Sequence, residues 1–540
     1  MSGRYMRRAA AVTVAITLVL LMLQGPHAQN APGPQVPGPS AKAAIDAAAA
    51  ALGGADRLRA LRNITLTGYG QYAYQNGGGN ITALPDAPLK LIAANDLKRV
   101  YDVEHNRYRQ QERRNDLFPF AAYGGHSFAL ATQVLDGDIA YNVSEKGEAT
   151  RGGDVRDRRM WMHTNPVVAV RAALDPAAKI GNRRRRDGLT LVDVTIKEGD
   201  VFTMAIRPPS NLPAWVAWSG PNQNLGEVVY TTHFFGYEPF GGVRLPMGYT
   251  TKLDWRNIEF LKMYVDGYLV DSQIDNLAVP ASAAAAPTGG PGGGRGAGPG
   301  GPGPQGVQVT PIVRGLWRIT GGTMVIEFSD HMTLFEVGGG ADRVRAVIAA
   351  ARKIVPSKPV TEVIVSHHHF DHTAGLRQAV AEGLTVISRR DNGIIFREMT
   401  SRPAPNFPDD LARRPKPLRF IPVDDHLQLK DATMAVDIYH VIANNHMADA
   451  VFAYIPEHKI MIEGDIATAA EDLQWWGDSW LDNIAYRKIE VVKNVPVHMD
   501  VMTYDEVVKM VTPGIRRVKE WCAEHVAKGN YFQGCPGFLR

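Results

Sequence analysis

The chain has 540 residues, 45% of them hydrophobic and 21% charged, with a formal net charge of +4. That composition excludes a wholly disordered protein and suits about two to four domains. Two cysteines exclude a disulfide-dense scaffold and any four-cysteine zinc or iron–sulfur site. No long basic block is present, so nucleic acid is not an expected partner, and the one dense patch, Arg183, Arg184, Arg185 and Arg186, reads as a solvated loop.

The N-terminus carries Arg4, Arg7 and Arg8, an apolar run over 9–23, and then Gln24, Gly25, Pro26, His27 and Ala28. A basic start, a short apolar run and a small residue before a polar segment describe a secretory signal peptide over 1–28. The run is shorter than the roughly 20 apolar residues of a membrane span. A mature protein without a stable span, in the periplasm or outside the cell, is therefore expected. In such a compartment Cys522 and Cys535 are able to bridge, closing a loop of about 14 residues; two unpaired thiols are the other reading.

A first domain is expected over 40–280. It opens with an alanine-rich helix over 41–52, stopped by Gly53 and Gly54, and continues with strand-like runs at 64–74, 189–196, 201–206, 228–235 and 264–270. Their alternation predicts a mostly antiparallel sheet with a few helices, a β-rich α+β domain. The aromatics at 118–123 and 215–218 read as core packing rather than a groove. The opening and the strand pattern resemble periplasmic half-barrel proteins that carry lipids. From 281 to 308 the sequence is almost entirely Ala, Gly and Pro, without large apolar residues, which predicts a flexible linker.

The second domain, 309–540, alternates strand-like runs (324–328, 360–365, 384–388, 434–441, 450–455, 459–462) with helical patterns at 343–354, 376–382 and around 483–492. That alternation predicts an α/β layered architecture. Eleven of the sixteen histidines lie after the linker. The densest cluster, Ser366–His367–His368–His369–Phe370–Asp371–His372–Thr373–Ala374–Gly375, follows an apolar run, which puts it in a loop at a strand end, where rigid folds hold ligands and catalysts. His367 and His369 are spaced to grip one metal, with Asp371 and His372 turned toward a second; imidazole and carboxylate are zinc ligands.

The His-x-His-x-Asp-His pattern resembles the signature of the metallo-β-lactamase superfamily. The resemblance implies an αββα sandwich for the C-terminal domain and further ligands downstream at strand ends. His446, in Asn444–Asn445–His446–Met447–Ala448–Asp449, Asp465 in Glu463–Gly464–Asp465, and His498 in Val495–Pro496–Val497–His498 stand where that family places them. It implies that His367, His369 and His446 hold one Zn2+, that Asp371, His372 and His498 hold a second, and that Asp465 bridges both, with Fe or Mn as alternative metals. His368 then points away from the metals. His440 reads as a structural strand residue, and His331, His426, His458 and His525 as surface or satisfied histidines. Asp449 and Asp391 are candidates to orient the imidazoles. No cysteine stands where some β-lactamases of the superfamily place one, so a bridging carboxylate resembles the thioesterase, lactonase and phosphodiesterase branches.

The implied chemistry is hydrolysis by a hydroxide shared between two zinc ions, attacking an ester, lactone, thioester or lactam-type bond of a small-molecule substrate. Asp371 is the expected catalytic group, orienting the nucleophile or accepting its proton. The alternatives are a mononuclear iron oxygenase of the persulfide-dioxygenase type and a ligand carrier with a structural metal site. A homodimer is compatible with the sequence. The segment 403–417 and the tryptophans Trp475, Trp476 and Trp480 are able to line the cleft, with core or interface packing of the tryptophans an equal reading, and the C-terminal domain is expected to keep some turnover without the N-terminal one.

Overall fold

The computed structural model describes residues 40–73, 82–87, 89–116, 129–286, 307–444, 446–467 and 477–529. The signal-peptide segment, most of the Gly/Pro-rich stretch, the aromatics at 118–123, Trp475, Trp476 and Cys535 lie outside them. Cys522 is buried in the last helix and disulfide-bonded. Among the described residues no helix is long and apolar enough to cross a membrane.

The N-terminal domain is a 13-stranded antiparallel sheet made of two meanders. One runs outward from strand Asn63–Ala73 to an edge strand at Ala149–Gly152. The other starts at the opposite edge, Lys179–Arg186, and runs back to Glu259–Val270. The meanders join where Asn63–Ala73 pairs with Glu259–Val270, Ile64 opposite Val270. Alternation along the strands buries one face beneath helices Ala41–Leu52 and Pro166–Ala173, which contribute Ile45, Leu52, Val167 and Val170 to the core. Ser40 caps the first helix through its hydroxyl, and Gly53 ends it. At Gly53, φ is +131° and an added Cβ would lie 2.3 Å from the carbonyl oxygen of Gly242, so only glycine fits the turn.

Two expectations change here. Arg183 to Arg186 belong to the edge strand Lys179–Arg186, not to a loop; an edge strand tolerates and benefits from charge, because its outer rim faces water and must not pair with another chain. The stretch read as linker begins as part of the domain. Helix Ala281–Ala285 places Ala283 in a small core with Val100, Val134, Tyr141 and Leu277. Trp218, by contrast, packs on Tyr230 as expected, with ring centroids 4.6 Å apart.

The C-terminal domain has four layers. A seven-stranded sheet and a six-stranded sheet pack face to face through Leu316, Ile326, Phe335, Ile364, Val436, Ile438, Ile462 and Val495. Helices Gly340–Ile354, Leu376–Glu382 and Asn392–Ser401 cover the first sheet, and Gly477–Arg487 and Tyr504–Ala527 cover the second. The expected αββα order is therefore present. The helix expected around 483–492 lies instead at Gly477–Arg487, since 493–496 form a strand. The long last helix was not expected. Pro513 sits inside it, and proline in an otherwise helical pattern reads as a stop.

The two domains share one apolar core. Ala73, Ala83, Leu225, Val228, Trp255 and Ile258 from the first pack with Val337, Phe370, Leu376, Phe396 and Met399 of the second. Polar contacts rim it. Trp255 Nε1 donates to Glu398 at 2.8 Å, the Arg256 guanidinium pairs with the same carboxylate at 2.7 and 2.9 Å, and Arg402 donates to the carbonyl of Glu227 at 2.8 Å. The segment at 403–417 faces this junction: Asn406 pairs with Glu227, and Arg156 lies over the Phe407 ring. It thus docks the domains together rather than forming the cleft wall that was one reading of its sequence. A C-terminal domain cut free would expose the apolar surface that Leu225 and Trp255 cover, so independent turnover of that domain is no longer expected.

Glu398→Ala leaves a buried indole N–H and a guanidinium without their acceptor. The variant should lose about 1–3 kcal/mol of stability in denaturant unfolding. The fragment 309–540 expressed alone should aggregate or bind a hydrophobic dye, where the full chain stays monodisperse in gel filtration.

Candidate metal centre

Four chain segments converge between the two sheets. Strand Val360–Ile364 delivers the loop carrying His367 and His369 and the short helix Phe370–Thr373, which holds Asp371 and His372. Sequence dictates this turn. Thr373 Oγ1 donates to the carbonyl of His369 at 2.9 Å, and the Asn224 amide of the N-terminal domain donates to the Phe370 carbonyl and to Thr373 Oγ1, both at 2.9 Å. Gly375 has an ordinary φ of −103°. It is required for space rather than for backbone freedom: a Cβ there would lie 2.1 Å from Val344 and 2.5 Å from the Val337 carbonyl.

The second sheet supplies the rest. Asn444 accepts hydrogen bonds from the amides of His446 and Met447 at 2.8 and 3.3 Å, a local turn that presents His446. Asp465 follows strand Ile460–Glu463 and His498 follows strand Lys493–Pro496. These two strands pair in parallel, Glu463 opposite Pro496, so both ligands emerge at one end. The Val451 amide donates to the Ser366 carbonyl at 2.8 Å, joining the two sheets just beneath the site. At Gly464 a Cβ would lie 2.4 Å from Ser366 Oγ, so the turn into Asp465 passes too close for any side chain.

Two groups of side chains result, His367 with His369, His446 and Asp465, and Asp371 with His372, Asp465 and His498. All seven residues singled out in the sequence are in them. Asp465 belongs to both: its Oδ2 lies 3.0 Å from His446 Nε2 and 3.8 Å from His367 Nε2, while its Oδ1 lies 3.3 Å from His372 Nε2 and 3.2 Å from His498 Nε2. Asp371 Oδ2 is 3.4 Å from both His372 Nε2 and His498 Nε2, and those two nitrogens are 3.0 Å apart. Ligand atoms held tetrahedrally at about 2.0–2.2 Å stand about 3.3–3.6 Å from one another. The donor spacings fit that geometry. Further, His367 Nε2 is buried without a hydrogen-bond partner, a costly state for a polar atom that a cation would relieve.

The electrostatics agree. Burial and the neighbouring imidazoles hold His367 and His369 well below the usual histidine range, and burial lowers His446; neutral rings offer lone pairs. At the other group burial pushes His372 down, but Asp371, Asp465 and Glu336 outweigh it and raise it well above that range, and Asp465 likewise raises His498. Burial tends to raise Asp465, yet His372 and His498 bring it well below the carboxylate range. Protons on this second group occupy places that a cation would take in their stead. The group opens to water at His498 and Asp371, 31% and 19% exposed, while His372 is fully buried.

The orienting residues differ from those expected. Asp449 accepts the Ala83 amide at 2.7 Å, and Asp391 lies 3.5 Å from Arg389; neither touches an imidazole. Proximity in sequence pointed to them, but their side chains pair elsewhere. The work falls to Ser366, whose hydroxyl pairs with His367 Nδ1 at 2.8 Å, and to Glu336, whose Oε2 lies 3.4 Å from His372 Nδ1 while Oε1 accepts the Ser366 amide at 2.9 Å. Glu336 is buried at φ +80°, a strained backbone for a residue with a side chain. Glu463, pushed up to about 8 by burial, accepts the amides of Ile466 and Ala467 around the Asp465 turn.

The remaining histidines have other partners. His368 is buried but belongs to neither group. His440 pairs with the Ala448 carbonyl at 2.9 Å, His426 with Asp437 at 2.8 Å, His331 with Asp330 at 2.7 Å and His525 with the Trp521 carbonyl at 2.9 Å. Trp480 is buried, its indole N–H donating to Asn494 at 3.2 Å, so it serves the core rather than a cleft.

A family model described as the metallo-beta-lactamase superfamily matches residues 321–497, a stretch that holds six of the seven clustered side chains and ends one residue before His498. No protein of curated function matches the chain. Among solved structures, a metallo-beta-lactamase from Pontibacter korlensis is 16% identical, aligning 38% of this chain with 98% of its own at a TM-score of 0.31. One from Hirschia baltica is 14% identical over 39% of this chain and 98% of its own, TM-score 0.31. The flavodiiron protein from Giardia intestinalis is 13% identical over 40% and 61%, TM-score 0.32. Layer order, ligand placement and family match agree: residues 321–497 form a domain of the metallo-beta-lactamase superfamily.

Proposed function

We propose that the chain is a metal-dependent hydrolase with a binuclear centre, taking two Zn2+ ions and cleaving an ester, lactone, thioester or lactam-type bond of a small molecule. The observation that carries this reading is the split of Asp465, one carboxylate oxygen toward each group of ligands. A single-metal site would have no use for the second oxygen so placed. His367, His369 and His446 would hold one ion and Asp371, His372 and His498 the other. When bound, such a pair supplies Lewis acidity, lowering the pKa of a water toward about 7 and polarising the carbonyl oxygen under attack.

The chain's own groups do the rest. Asp371, open to solvent at the mouth of the site, orients the attacking water and accepts its proton. Glu336 and Ser366 fix the rings of His372 and His367 so that their Nε2 atoms face inward. His498, the most exposed ligand, marks the side from which substrate enters. The N-terminal pattern over 1–28 supports a location in the periplasm or outside the cell.

Elemental mass spectrometry of the purified full chain should find about two zinc ions per chain. Asp465→Ala should bring this to about one or fewer and lower kcat on activated esters and lactones by at least about a hundredfold. One iron per chain, indifferent to loss of His498, would overturn the reading. Glu336→Gln keeps the bond from the Ser366 amide but weakens the grip on His372. It should cut affinity for the second ion by about 10–100-fold in chelator competition, with the unfolding midpoint nearly unchanged.

A further inference from the structure

We propose that the interior of the N-terminal domain binds a small inorganic monoanion of chloride's size, held by Arg99, Tyr101 and Asn165 between the 13-stranded sheet and the helix that begins at Pro166. None of the metal-binding side chains takes part. Strand Leu91–Asp102 sets Arg99 between Leu66 and Gln110 of its two neighbours, and Tyr101 between Ile64 and Tyr108. Two residues apart, both side chains leave the same face of the sheet, the one packed beneath the helices. Asn165 caps helix Pro166–Ala173, its Oδ1 accepting the Val167 amide at 3.0 Å, which leaves the amide nitrogen to face the Tyr101 hydroxyl. Arg99 is 1% exposed, Tyr101 and Asn165 0%.

What these residues share is donors. Arg99 Nε and Nη2, the Tyr101 hydroxyl and Asn165 Nδ2 are buried and, among the described residues, lack a hydrogen-bond partner. Burial raises the Tyr101 hydroxyl while Arg99 and Asn165 beside it pull it back, so the donors gather at one point. The guanidinium also lacks a counter-ion there. Burial works against its charge, and Glu112 is the one carboxylate that favours it. Glu112, however, is already engaged by Arg114 Nε at 2.6 Å and by the Tyr72 hydroxyl at 3.0 Å. Gln110, across from Arg99, accepts from the Tyr108 hydroxyl at 3.1 Å and donates to Tyr72 at 2.9 Å. With Glu112 and Arg114 cancelling, one positive charge remains in the core. The Trp161 ring, 6.0 Å from the guanidinium carbon, offsets a part of it. A buried charge and buried donors are both costly until an opposite charge with free lone pairs meets them. Ile64, Leu66 and Leu97 fill the same face, an enclosure that suits a bare ion better than a carboxylate with a body to house.

The test follows thermal unfolding of the full chain at constant ionic strength while gluconate is exchanged for chloride or bromide. The wild-type midpoint should climb about 3–5 °C per tenfold rise in halide above its Kd. Asn165→Asp keeps the oxygen that caps the helix but sets a carboxylate where the ion would sit. It should unfold at or above wild type without halide and lose the response to it. Tyr101→Phe removes one donor and should raise the halide Kd about tenfold. Halide taken up at the metal centre acts on all three chains alike and drops out of the comparison. Crystals soaked in bromide give a second readout, an anomalous peak within hydrogen-bond distance of Arg99 Nη2 in wild type and none there in Asn165→Asp. A wild-type midpoint indifferent to halide, with no peak at Arg99, overturns the proposal and assigns the donors to water. So does an equal halide response in Asn165→Asp, or a response to acetate without one to halide, which would make this a carboxylate site.

Discussion

Opposite charges and neutral rings are packed around a single carboxylate, and the geometry of that carboxylate sets everything else in the site. Asp465 has only two oxygens, and each is committed to a different set of imidazoles. A small rotation would break both commitments together. The surrounding structure removes that freedom: Gly464 lies flat against Ser366 with no room for a Cβ, and Glu463, buried one residue earlier, accepts the amides on the far side of the turn. Ser366 reappears on the other flank, pairing with His367 through its hydroxyl and with the second sheet through its carbonyl. One serine and one glycine thus lock the two sheets in register where the ligands meet.

The N-terminal domain belongs to this scaffold. Asn224 satisfies a carbonyl and a hydroxyl in the turn that carries Asp371 and His372, Ala83 holds Asp449 beside the His446 loop, and Trp255 packs against Phe370 with ring centroids 5.5 Å apart. Each of the two loops is therefore buttressed from outside the C-terminal domain. Buried polar groups need partners, and here the partners of one domain's loops are side chains of the other. The family match begins at residue 321 and so leaves out the domain that holds these loops from behind.

The clustering of the seven side chains was legible because metal chemistry requires specific residue types at strand ends, and strands betray themselves by apolar runs. Four of them crowd into His367–His372, and the remaining three each follow or precede an apolar strand. The orienting groups were not legible. Glu336 is a lone acid 36 residues before the imidazole it faces, and Asn224 lies in a different domain from the turn it braces. Such pairings exist only after folding brings distant segments together. The same limit explains the errors. Asp449 and Asp391 were favoured for nearness along the chain, the arginines at 183–186 looked like a loop because edge strands may carry charge, and Pro513 hid a long helix. The layered fold of the second domain was readable from its alternating periods; the extent of the first domain's sheet was not, since several of its strands, such as Arg107–Asp116, are strongly polar.

The way the 13-stranded sheet is sewn has a consequence for how the chain acquires its shape. Within each meander every strand pairs with its immediate neighbours in sequence, so both wings are built from local hairpins that close quickly. The seam is different: Asn63–Ala73 meets Glu259–Val270 across nearly two hundred intervening residues. Until that seam closes, each wing has a second open edge of unpaired amides and carbonyls. The Trp255 that packs on Phe370 lies just before the closing strand. The wall behind the loops that carry His367 and His446 is thus completed only when the last strand of the first domain finds its oldest one, and both of those strands are synthesised before His367.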